Sequence, residues 1–376
     1  MSARLVSIGL PALCALLACG EAAAPAEPRA AEPTAAEPTA AEPAAAEPAG
    51  DGAAGDGAAG APGGDRALRP APEPEERAAE PPPLPPFLLT TVPQDELLRR
   101  LAETPSRQFK PVGSTSVVFR LRLRAGDDLM AAYKPQSRQH RQGHKAELAA
   151  YRISRLLGMD NVPPAAFRRV EIGEMERRLN NRYVDAWGEI RSWTIWDEAD
   201  QTDGAAIYWI PQMRDLGLDQ EGRIRRWVSW LSQEGELPGD REVLAADLSK
   251  MLLFDYLIGN WDRFSGGNLM GTPAGDRVYV RDHNVAFAEP LPEHLHERLL
   301  FRMTRVERFS RPFVQALQRL TPRMIAAEFA KVPLHLREPL LTEAQLAALL
   351  ERRETILSHV GAVVAEFGLE ATMVFP

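Results

Sequence analysis

The sequence predicts a two-lobed α+β fold, in which a β-rich N-terminal lobe precedes a helical C-terminal lobe. The first 86 residues are low in complexity and show no pattern of a folded domain. Residues 87–210 combine short β-like runs with few helical segments, and the chain after Pro238 is mainly helical. Strands first and helices later are typical of a bilobal α+β protein. We assign 87–210 to the first lobe and 211–376 to an insertion and the second lobe.

Residues 1–18 are predicted to be a lipoprotein signal peptide. Arg4 precedes an apolar run that is shorter than the roughly 20 residues of a membrane span. The run ends in Leu-Leu-Ala-Cys-Gly, which resembles the bacterial lipobox and predicts a lipid on Cys19. An ordinary secretory signal is the alternative. Cys14 lies inside the signal, so we expect neither a disulfide nor a Cys-based zinc site in the mature chain.

Residues 19–86 are predicted to be a disordered tether. Ala-Glu-Pro recurs every five residues from Ala26 to Ala46, and a Gly-rich and a Pro-rich stretch follow. Such a composition has too few large apolar side chains to offset the entropy of ordering. Residues 1–86 also carry the whole net charge of −8, and the remaining residues are neutral. A neutral globular part gives no indication of nucleic-acid binding.

Periodicity predicts the elements of the first lobe. Helices are expected over residues 94–103 and 142–157, where apolar side chains recur at helical spacing, with Gly158 as a stop signal. Asp127-Asp128 is typical of a hairpin turn. Strands or extended segments are expected over residues 109–112, 116–123, 129–134, 162–170, 186–196 and 205–210.

The second lobe is predicted to contain three long helical segments. These cover residues 241–258, 306–320 and 342–367, the last as one long or two short helices with Thr342 as N-cap. The short run Val278–Val280 is β-like. No apolar run in residues 87–376 is long enough to span a membrane.

The most informative window is the loop that follows the helix 241–258. Asp262 and Asn268 lie six residues apart in a Gly-rich loop, and Asp282 ends the β-like run twenty residues after Asp262. An Asp in a loop suits a base that accepts a proton from a hydroxyl, and amide and carboxylate oxygens suit a hard divalent ion. Each residue alone also fits an ordinary turn or cap. Together they predict phosphoryl transfer.

Upstream residues supply candidates for binding a nucleotide. Lys134 ends a predicted strand, and Glu147, thirteen residues later, is the one acidic residue of the following helix. A strand Lys paired with a helix Glu is the arrangement by which kinases hold the α- and β-phosphates. Gly113, Ser114 and Thr115 form a small-residue turn whose backbone N–H groups suit phosphates, or which is only a hairpin turn.

Residues 253–287 resemble the catalytic segment of atypical kinases of the secretory-pathway group, which includes the Golgi casein kinase and Four-jointed. They are more distantly similar to the phosphatidylinositol 3- and 4-kinases. The shared pattern is an apolar helix, Gly-Asn-x-Asp-Arg at 259–263, Asn268, and a strand that ends in Asp282 with Phe287 soon after. The resemblance covers about residues 105–290. It implies a bilobal protein-kinase-like fold with a catalytic loop over 259–287, ATP with Mg²⁺ or Mn²⁺ as cofactors, Asp262 as base, Asp282 and Asn268 as metal ligands, and Lys134 with Glu147 as the phosphate anchor.

Three departures from the resembled pattern bear on activity. Phe264 stands where these kinases often have His, and Asn268 follows Asp262 by six residues instead of the five of protein kinases. Asp282-His283-Asn284 replaces forms that contain a Gly.

The function predicted from the sequence is a lipid-anchored, extracytoplasmic kinase with a hydroxyl acceptor, protein Ser/Thr ahead of lipid or sugar. Gly20 in place of Asp after the lipidated Cys favours the outer membrane in organisms that sort lipoproteins by that residue. Two alternatives remain open: a catalytically inactive kinase-fold binding protein of the cell envelope, and an enzyme that transfers AMP. The sequence gives no indication of the oligomeric state.

Overall fold

The computed structural model describes residues 87–88, 90–113, 116–124 and 129–376. The first lobe is built on a five-stranded antiparallel sheet with the strand order β1-β2-β3-β5-β4. The strands are β1 (Ser106–Val112), β2 (Val118–Leu123), β3 (Met130–Pro135), β4 (Ala165–Glu171) and β5 (Gln201–Tyr208). The alternating segments of the sequence thus form the predicted β-rich lobe, although β2 begins two residues later than expected.

Aromatic packing fixes one face of this sheet. The rings of Phe109 and Phe119 meet edge to face with centroids 5.8 Å apart, and Tyr133 lies 6.3 Å from Phe109. Gly204 faces the Tyr133 ring so closely that an added Cβ would lie 2.5 Å from a ring atom. Only glycine therefore fits beside this buried tyrosine. The ring packing holds β3, which carries Lys134, in a fixed position within the sheet.

Two helices of the first lobe form as predicted. They are α1 (Gln94–Glu103) and α2 (Gly143–Leu156). Arg168 of β4 is buried and donates to the carbonyls of Leu101 and Thr104, so it satisfies acceptors at the end of α1. Helix α2 is buried along most of its length because it packs against β5 on one side and a helix of the second lobe on the other. Glu147, which lies on α2, is thereby shielded from water.

The predicted strand over residues 186–196 is wrong. The structure has α3 (Ile172–Arg177), a 3-10 turn at Asn181–Ala186 and α4 (Trp187–Trp193) between β4 and β5. Trp187, Ile190 and Trp193 recur every third residue, which is a helical spacing, and Ile190 is buried. The abundance of Trp and Ile favoured a strand in the sequence, but their spacing decides the structure.

The centre of the second lobe is helix α6 (Glu242–Ile258), which is preceded by α5 (Glu221–Trp230). Fourteen of the seventeen residues of α6 are buried, so it is covered on all sides by other elements. Gly259 ends α6 in the left-handed region with φ 68°, and its N–H bonds to carbonyls of the last turn. The chain therefore leaves the helix abruptly and enters the loop that carries Asp262.

A small antiparallel sheet follows this loop, in the order β6-β7-β8. Its strands are β6 (Arg214–Asp215), β7 (Leu269–Gly271) and β8 (Val278–Val280). Strands β7 and β8 pair with Leu269 opposite Val280. Of these strands the sequence predicted β8 alone, because Val and Tyr favour strands, whereas β6 contains Asp and β7 contains Gly, which do not.

The remaining helices are α7 (Glu293–Met303), α8 (Arg311–Arg319), α9 (Pro322–Phe329), α10 (Glu343–Phe367) and α11 (Leu369–Thr372). The predicted helix over 306–320 is too long, because Ser310 caps α8 and Pro312 lies in its first turn. The helix over 342–367 is a single one, and Thr342 with Gln345 forms a capping box at its start. Helices α5, α7 and α9 were not predicted.

The predicted signal peptide, tether and hairpin turn at Asp127-Asp128, together with Cys19, Ser114 and Thr115, lie outside the described residues. Within the described ranges, no helix has the length and apolarity that crossing a membrane requires. The lobe boundary after residue 210 stays a prediction.

Candidate active site

Lys134 and Glu147 form a buried ion pair where β3 faces α2. Lys134 Nζ donates to Glu147 Oε1 over 2.6 Å, and the Glu147 side chain is 3% exposed. Burial opposes the ionisation of both groups, but their mutual attraction outweighs it. The pKa of Glu147 is held below its ordinary value and that of Lys134 above it. The pair is thus charged at neutral pH.

Asp282 joins this pair from the second lobe. Lys134 Nζ also donates to Asp282 Oδ1 over 2.7 Å. Asp282 follows β8 and adopts φ 64°, a left-handed conformation that is uncommon for a residue other than glycine. The sequence lacks a Gly in the Asp282-His283-Asn284 segment, and the structure places the unusual backbone conformation on the carboxylate residue itself. Strain of this kind is found at functional sites.

His283 also contacts Glu147, through both its backbone and its ring. Its backbone N–H donates to Glu147 Oε1 over 2.9 Å, and its ring Nδ1 lies 3.2 Å from Oε2. Phe254 packs edge to face against the His283 ring. In the sequence His283 is visible only as a departure from the resembled pattern, and its contact with Glu147 joins residues 136 positions apart.

A buried ion pair shapes the loop after α6. Arg263 is 1% exposed, and its Nε and one terminal nitrogen each donate to the Asp255 carboxylate over 2.9 Å. Its other terminal nitrogen donates to the carbonyl of Arg281. Asn260 donates to Asp255 and to the carbonyl of Asp282 over 3.3 and 3.2 Å. These contacts tie the start of the loop to the segment that carries Asp282.

Asp262 and Asn268 face each other across the loop. The Asn268 amide donates to the Asp262 carbonyl over 3.0 Å and to Asp262 Oδ2 over 3.2 Å. The Ser265 hydroxyl donates to the other carboxylate oxygen. The carboxylate is thereby oriented at both oxygens while it remains partly exposed to solvent. A partly exposed, oriented carboxylate is suited to accept a proton.

The donor set fits a magnesium or manganese ion shared with phosphates. Asn268 directly precedes β7 and Asp282 lies two residues after β8, so the β7–β8 pairing brings both to one end of the hairpin. The Asn268 amide oxygen accepts no hydrogen bond from any described residue. Within the described ranges no cluster of three or more His, Cys, Asp or Glu side chains forms a metal site. Two oxygen ligands from the protein are what a Mg²⁺ ion held mainly by phosphates and water needs.

A cavity of about 260 Å³ adjoins Lys134. Gly113, Lys134, Arg281 and Asp282 are among the residues that line it, and most of its other lining residues are apolar. The apolar wall comprises Val118, Ala132, Pro163, Ile207, Trp209, Ile210 and Met213. Of the predicted phosphate-binding turn, Gly113 lines the cavity, whereas Ser114 and Thr115 lie outside the described residues. A cavity lined by apolar side chains together with a few charged groups suits a nucleotide base and its phosphates.

The structure brings Lys134, Glu147 and Asp282 into direct contact and pairs Asp262 with Asn268. Among the described residues, no hydrogen bond or ion pair joins Asp262 to the Lys134 cluster. His140, which the sequence analysis missed, is close enough to both groups that their charges act on it. Burial and then Lys134 lower the pKa of His140, whereas Asp282 and Asp262 oppose that change.

Solved structures with the same architecture are kinases. The crystal structure of the Golgi casein kinase with Mn/ADP bound has a TM-score of 0.55 and 17% identity, over 75% of this chain and 78% of that chain. The structure of hydra Fam20 with sugar gives a TM-score of 0.55 and 17% identity, over 76% and 93%. The present chain therefore has an atypical-kinase fold. The bilobal kinase-like architecture predicted from the sequence is confirmed.

Sequence comparison points the same way. A glycosaminoglycan xylosylkinase of Danio rerio is 24% identical over 265 residues, which are 61% of this chain and 63% of that protein. The Homo sapiens glycosaminoglycan xylosylkinase is 22% identical over 295 residues, 70% of each. The chain thus spans under two thirds of the length of the fish relative. No family model matches the chain.

Proposed function

We propose that this protein is an ATP-dependent kinase that phosphorylates a hydroxyl group. The observation that carries the proposal is the simultaneous contact of Lys134 with Glu147 and Asp282 inside an atypical-kinase fold. One ammonium group held between the two lobes by two carboxylates has the form of a kinase phosphate site. The similar Golgi casein kinase structure contains Mn and ADP.

Lys134 binds the α- and β-phosphates in this proposal, and Glu147 fixes its position. Because Glu147 is itself held by His283 at both oxygens, the Lys134 ammonium is presented in one orientation. The apolar part of the adjoining cavity takes the adenine in this proposal, and Gly113, which lines the cavity, offers its backbone N–H to the phosphates.

Asp282 and Asn268 would hold Mg²⁺ or Mn²⁺. When bound, the ion neutralises phosphate charge during transfer. Asp282 Oδ1 accepts from Lys134, and the other carboxylate oxygen of Asp282, which accepts no hydrogen bond from the described residues, would be open to the metal. Lys134 keeps Glu147 as its partner and turns its other donors toward the phosphates.

Asp262 would act as the general base. The acceptor hydroxyl loses its proton to Asp262 while its oxygen bonds to the γ-phosphorus, and the bond from that phosphorus to the bridging oxygen of ADP breaks. Ser265 and Asn268 donate to the two oxygens of Asp262 and so limit its rotation. The acceptor is proposed to be a protein Ser/Thr. A sugar hydroxyl is tested beside it, because the relatives found by sequence comparison are xylosylkinases.

The proposed setting is a bacterial cell envelope, where the protein is lipid-anchored and extracytoplasmic, at the outer membrane. The lipobox-like residues 16–20 support a lipid on Cys19, and the Ala-Glu-Pro repeats support a tether between that anchor and the kinase domain.

The test uses the full chain, purified in detergent, with labelled ATP and Mn²⁺. Casein and a β-xyloside are offered as acceptors, and intact mass separates phosphate from AMP transfer. We expect label in one acceptor and at least a ~100-fold loss for Asp262→Ala. Asp282→Ala should also remove the Mn²⁺-dependent thermal shift with ATP. Metal-dependent ATP binding without transfer to any acceptor would instead support a kinase-fold binding protein.

A further inference from the structure

A second large cavity lies away from the Lys134 cluster, between β6, α5 and the loop after β7. Its volume is about 730 Å³, and polar side chains dominate its wall. Four arginines line this cavity, which we call the arginine pocket: Arg214, Arg223, Arg226 and Arg241. Residues 87–376 have no net charge, so four guanidinium groups around one cavity are a local concentration of positive charge.

The arginine pocket has little negative charge of its own. Asp215 is the one acidic residue in its wall, and its carboxylate already accepts from the backbone N–H of Gly217 over 2.7 Å. Arg214 and Arg226 form no ion pair with any residue that the structure describes. These two guanidinium groups are therefore available to a ligand.

The positive charge of the other two arginines is not balanced by a buried carboxylate among the described residues. Arg223 donates to the carbonyl of Leu216, and Arg241 reaches the carbonyl of Gly275 over 3.5 Å. Carbonyl oxygens orient a guanidinium group without neutralising it. Arg241 also pairs with Asp240, but in a mostly exposed contact that is weak.

Tryptophan side chains connect the arginine pocket to the catalytic loop. Trp227 is 1% exposed, lines the pocket and donates through its indole N–H to the carbonyl of Leu218 over 2.8 Å. The same indole stacks on Phe264, two residues after Asp262, with centroids 6.2 Å apart and planes 13° apart. Trp230 adds a second aromatic side chain to the wall. An occupant of the pocket thus lies against a residue that supports the loop of Asp262.

The charge and size of the arginine pocket indicate the class of ligand. Planar guanidinium groups bind phosphate oxygens in pairs, and a phosphate monoester carries up to about two charges at neutral pH. A single inorganic ion would leave most of this volume empty, whereas a pocket of several hundred Å³ holds a small molecule. We infer that the arginine pocket binds a ligand with two or more phosphate groups, free in solution or on a lipid headgroup.

Isothermal titration of the full chain in nonionic detergent tests this inference, and it does not depend on kinase activity. The probes are inorganic tripolyphosphate and detergent micelles that contain phosphatidylinositol 4,5-bisphosphate, whose headgroup carries more than one phosphate. All titrations use the Lys134→Met, Glu147→Leu background, so the proposed nucleotide site does not contribute and Glu147 is not left as a buried carboxylate without its counterion. We expect saturable binding of one or both probes, and the two arms separate a soluble ligand from a headgroup.

Variants then locate the binding. Arg214→Glu with Arg226→Glu should weaken it at least 10-fold, and Arg226→Gln alone should weaken it less. The matched control is Arg225→Glu, because Arg225 neighbours Arg226 on α5 but pairs with Glu221 and does not line the pocket. Binding that is absent, or equally strong in the double variant, would overturn the inference. Tighter binding of poly-glutamate than of both phosphate probes would overturn the assignment to phosphate.

Discussion

Lys134 and Asp282 lie 148 residues apart in the chain, yet the ammonium of one donates to the carboxylate of the other over 2.7 Å. This contact joins β3 of the first lobe to the end of β8 in the second. Glu147 shares the same ammonium at 2.6 Å. One cation therefore balances two carboxylates, which makes Lys134 the residue on which the electrostatics of the proposed phosphate site depend.

Replacing Lys134 separates its proposed role in phosphate binding from its contribution to stability. We expect Lys134→Met to lower phosphoryl transfer at least ~100-fold and to destabilise the fold by about 3 kcal/mol, because Glu147 loses its buried counterion. Adding Glu147→Leu should recover stability but not transfer. Thermal melting and labelled ATP measure the two effects, with Lys110→Met on β1 as control. Recovery of transfer in the double variant would contradict the proposed role of Lys134.

Arg263 is predicted to need its planar, forked side chain. Arg263→Lys keeps the charge but cannot donate twice to Asp255 and also reach the carbonyl of Arg281. We expect a loss of about 2–4 kcal/mol in the free energy of unfolding, measured by urea titration. Arg225→Lys, which alters an exposed pair with Glu221, should change it by at most about 0.5 kcal/mol. Similar values for the two variants would refute a structural role for the Asp255–Arg263 pair.

Phe264 is predicted to support the catalytic loop by packing. Trp227 stacks on its ring, and the Arg302 guanidinium lies 4.0 Å from the ring centroid. Phe264→Ala removes both contacts, and we expect it to lower stability by about 2–3 kcal/mol. Phe301→Ala is the matched control, because Phe301 also contacts an arginine but is 59% exposed, and it should cost under about 1 kcal/mol. Chemical denaturation followed by circular dichroism compares them. Equal losses would show that the Trp227–Phe264 stack contributes little.

His144 is predicted to make stability depend on pH. Burial, aided by Lys145, lowers the pKa of His144 from 6.5 to about 4. The folded state therefore binds this proton less readily than the unfolded chain. The contribution of neutral His144 to the free energy of unfolding is fully present above pH 6.5. It is lost as the pH falls from there to about 4, which lowers the free energy of unfolding by up to roughly 3 kcal/mol.

Urea titrations at several pH values test this dependence. The wild-type free energy of unfolding should fall more steeply between pH 6.5 and 4 than that of His144→Leu, whose pH profile lacks this contribution. His294→Leu, at an exposed position, should keep the wild-type slope. Parallel profiles for wild type and His144→Leu would mean that His144 does not titrate differently in the two states.

Local sequence patterns determined most of the elements in the two lobes. Helices α1, α2, α6 and α10 follow from apolar spacing and from caps such as Thr342, which act within a few residues. The segment 186–196 is rich in Trp and Ile, which favours a strand, but the spacing of Trp187, Ile190 and Trp193 gives a helix over 187–193. Strands β6 and β7 could not be predicted, because their Asp and Gly residues have low strand propensity and the strands form only by pairing in the fold.

The sequence also indicated candidate residues for the proposed chemistry: Asp262, Asn268 and Asp282 in one window, and Lys134 with Glu147 upstream. Only the tertiary structure decided that Lys134 donates to Asp282 as well as to Glu147, and that the backbone and ring of His283 contact the two carboxylate oxygens of Glu147. Those contacts join residues more than a hundred positions apart, and no local propensity encodes them. Burial between the two lobes produces them, because a charged group that has lost its water is stable only when it pairs with an opposite charge or a hydrogen-bond partner.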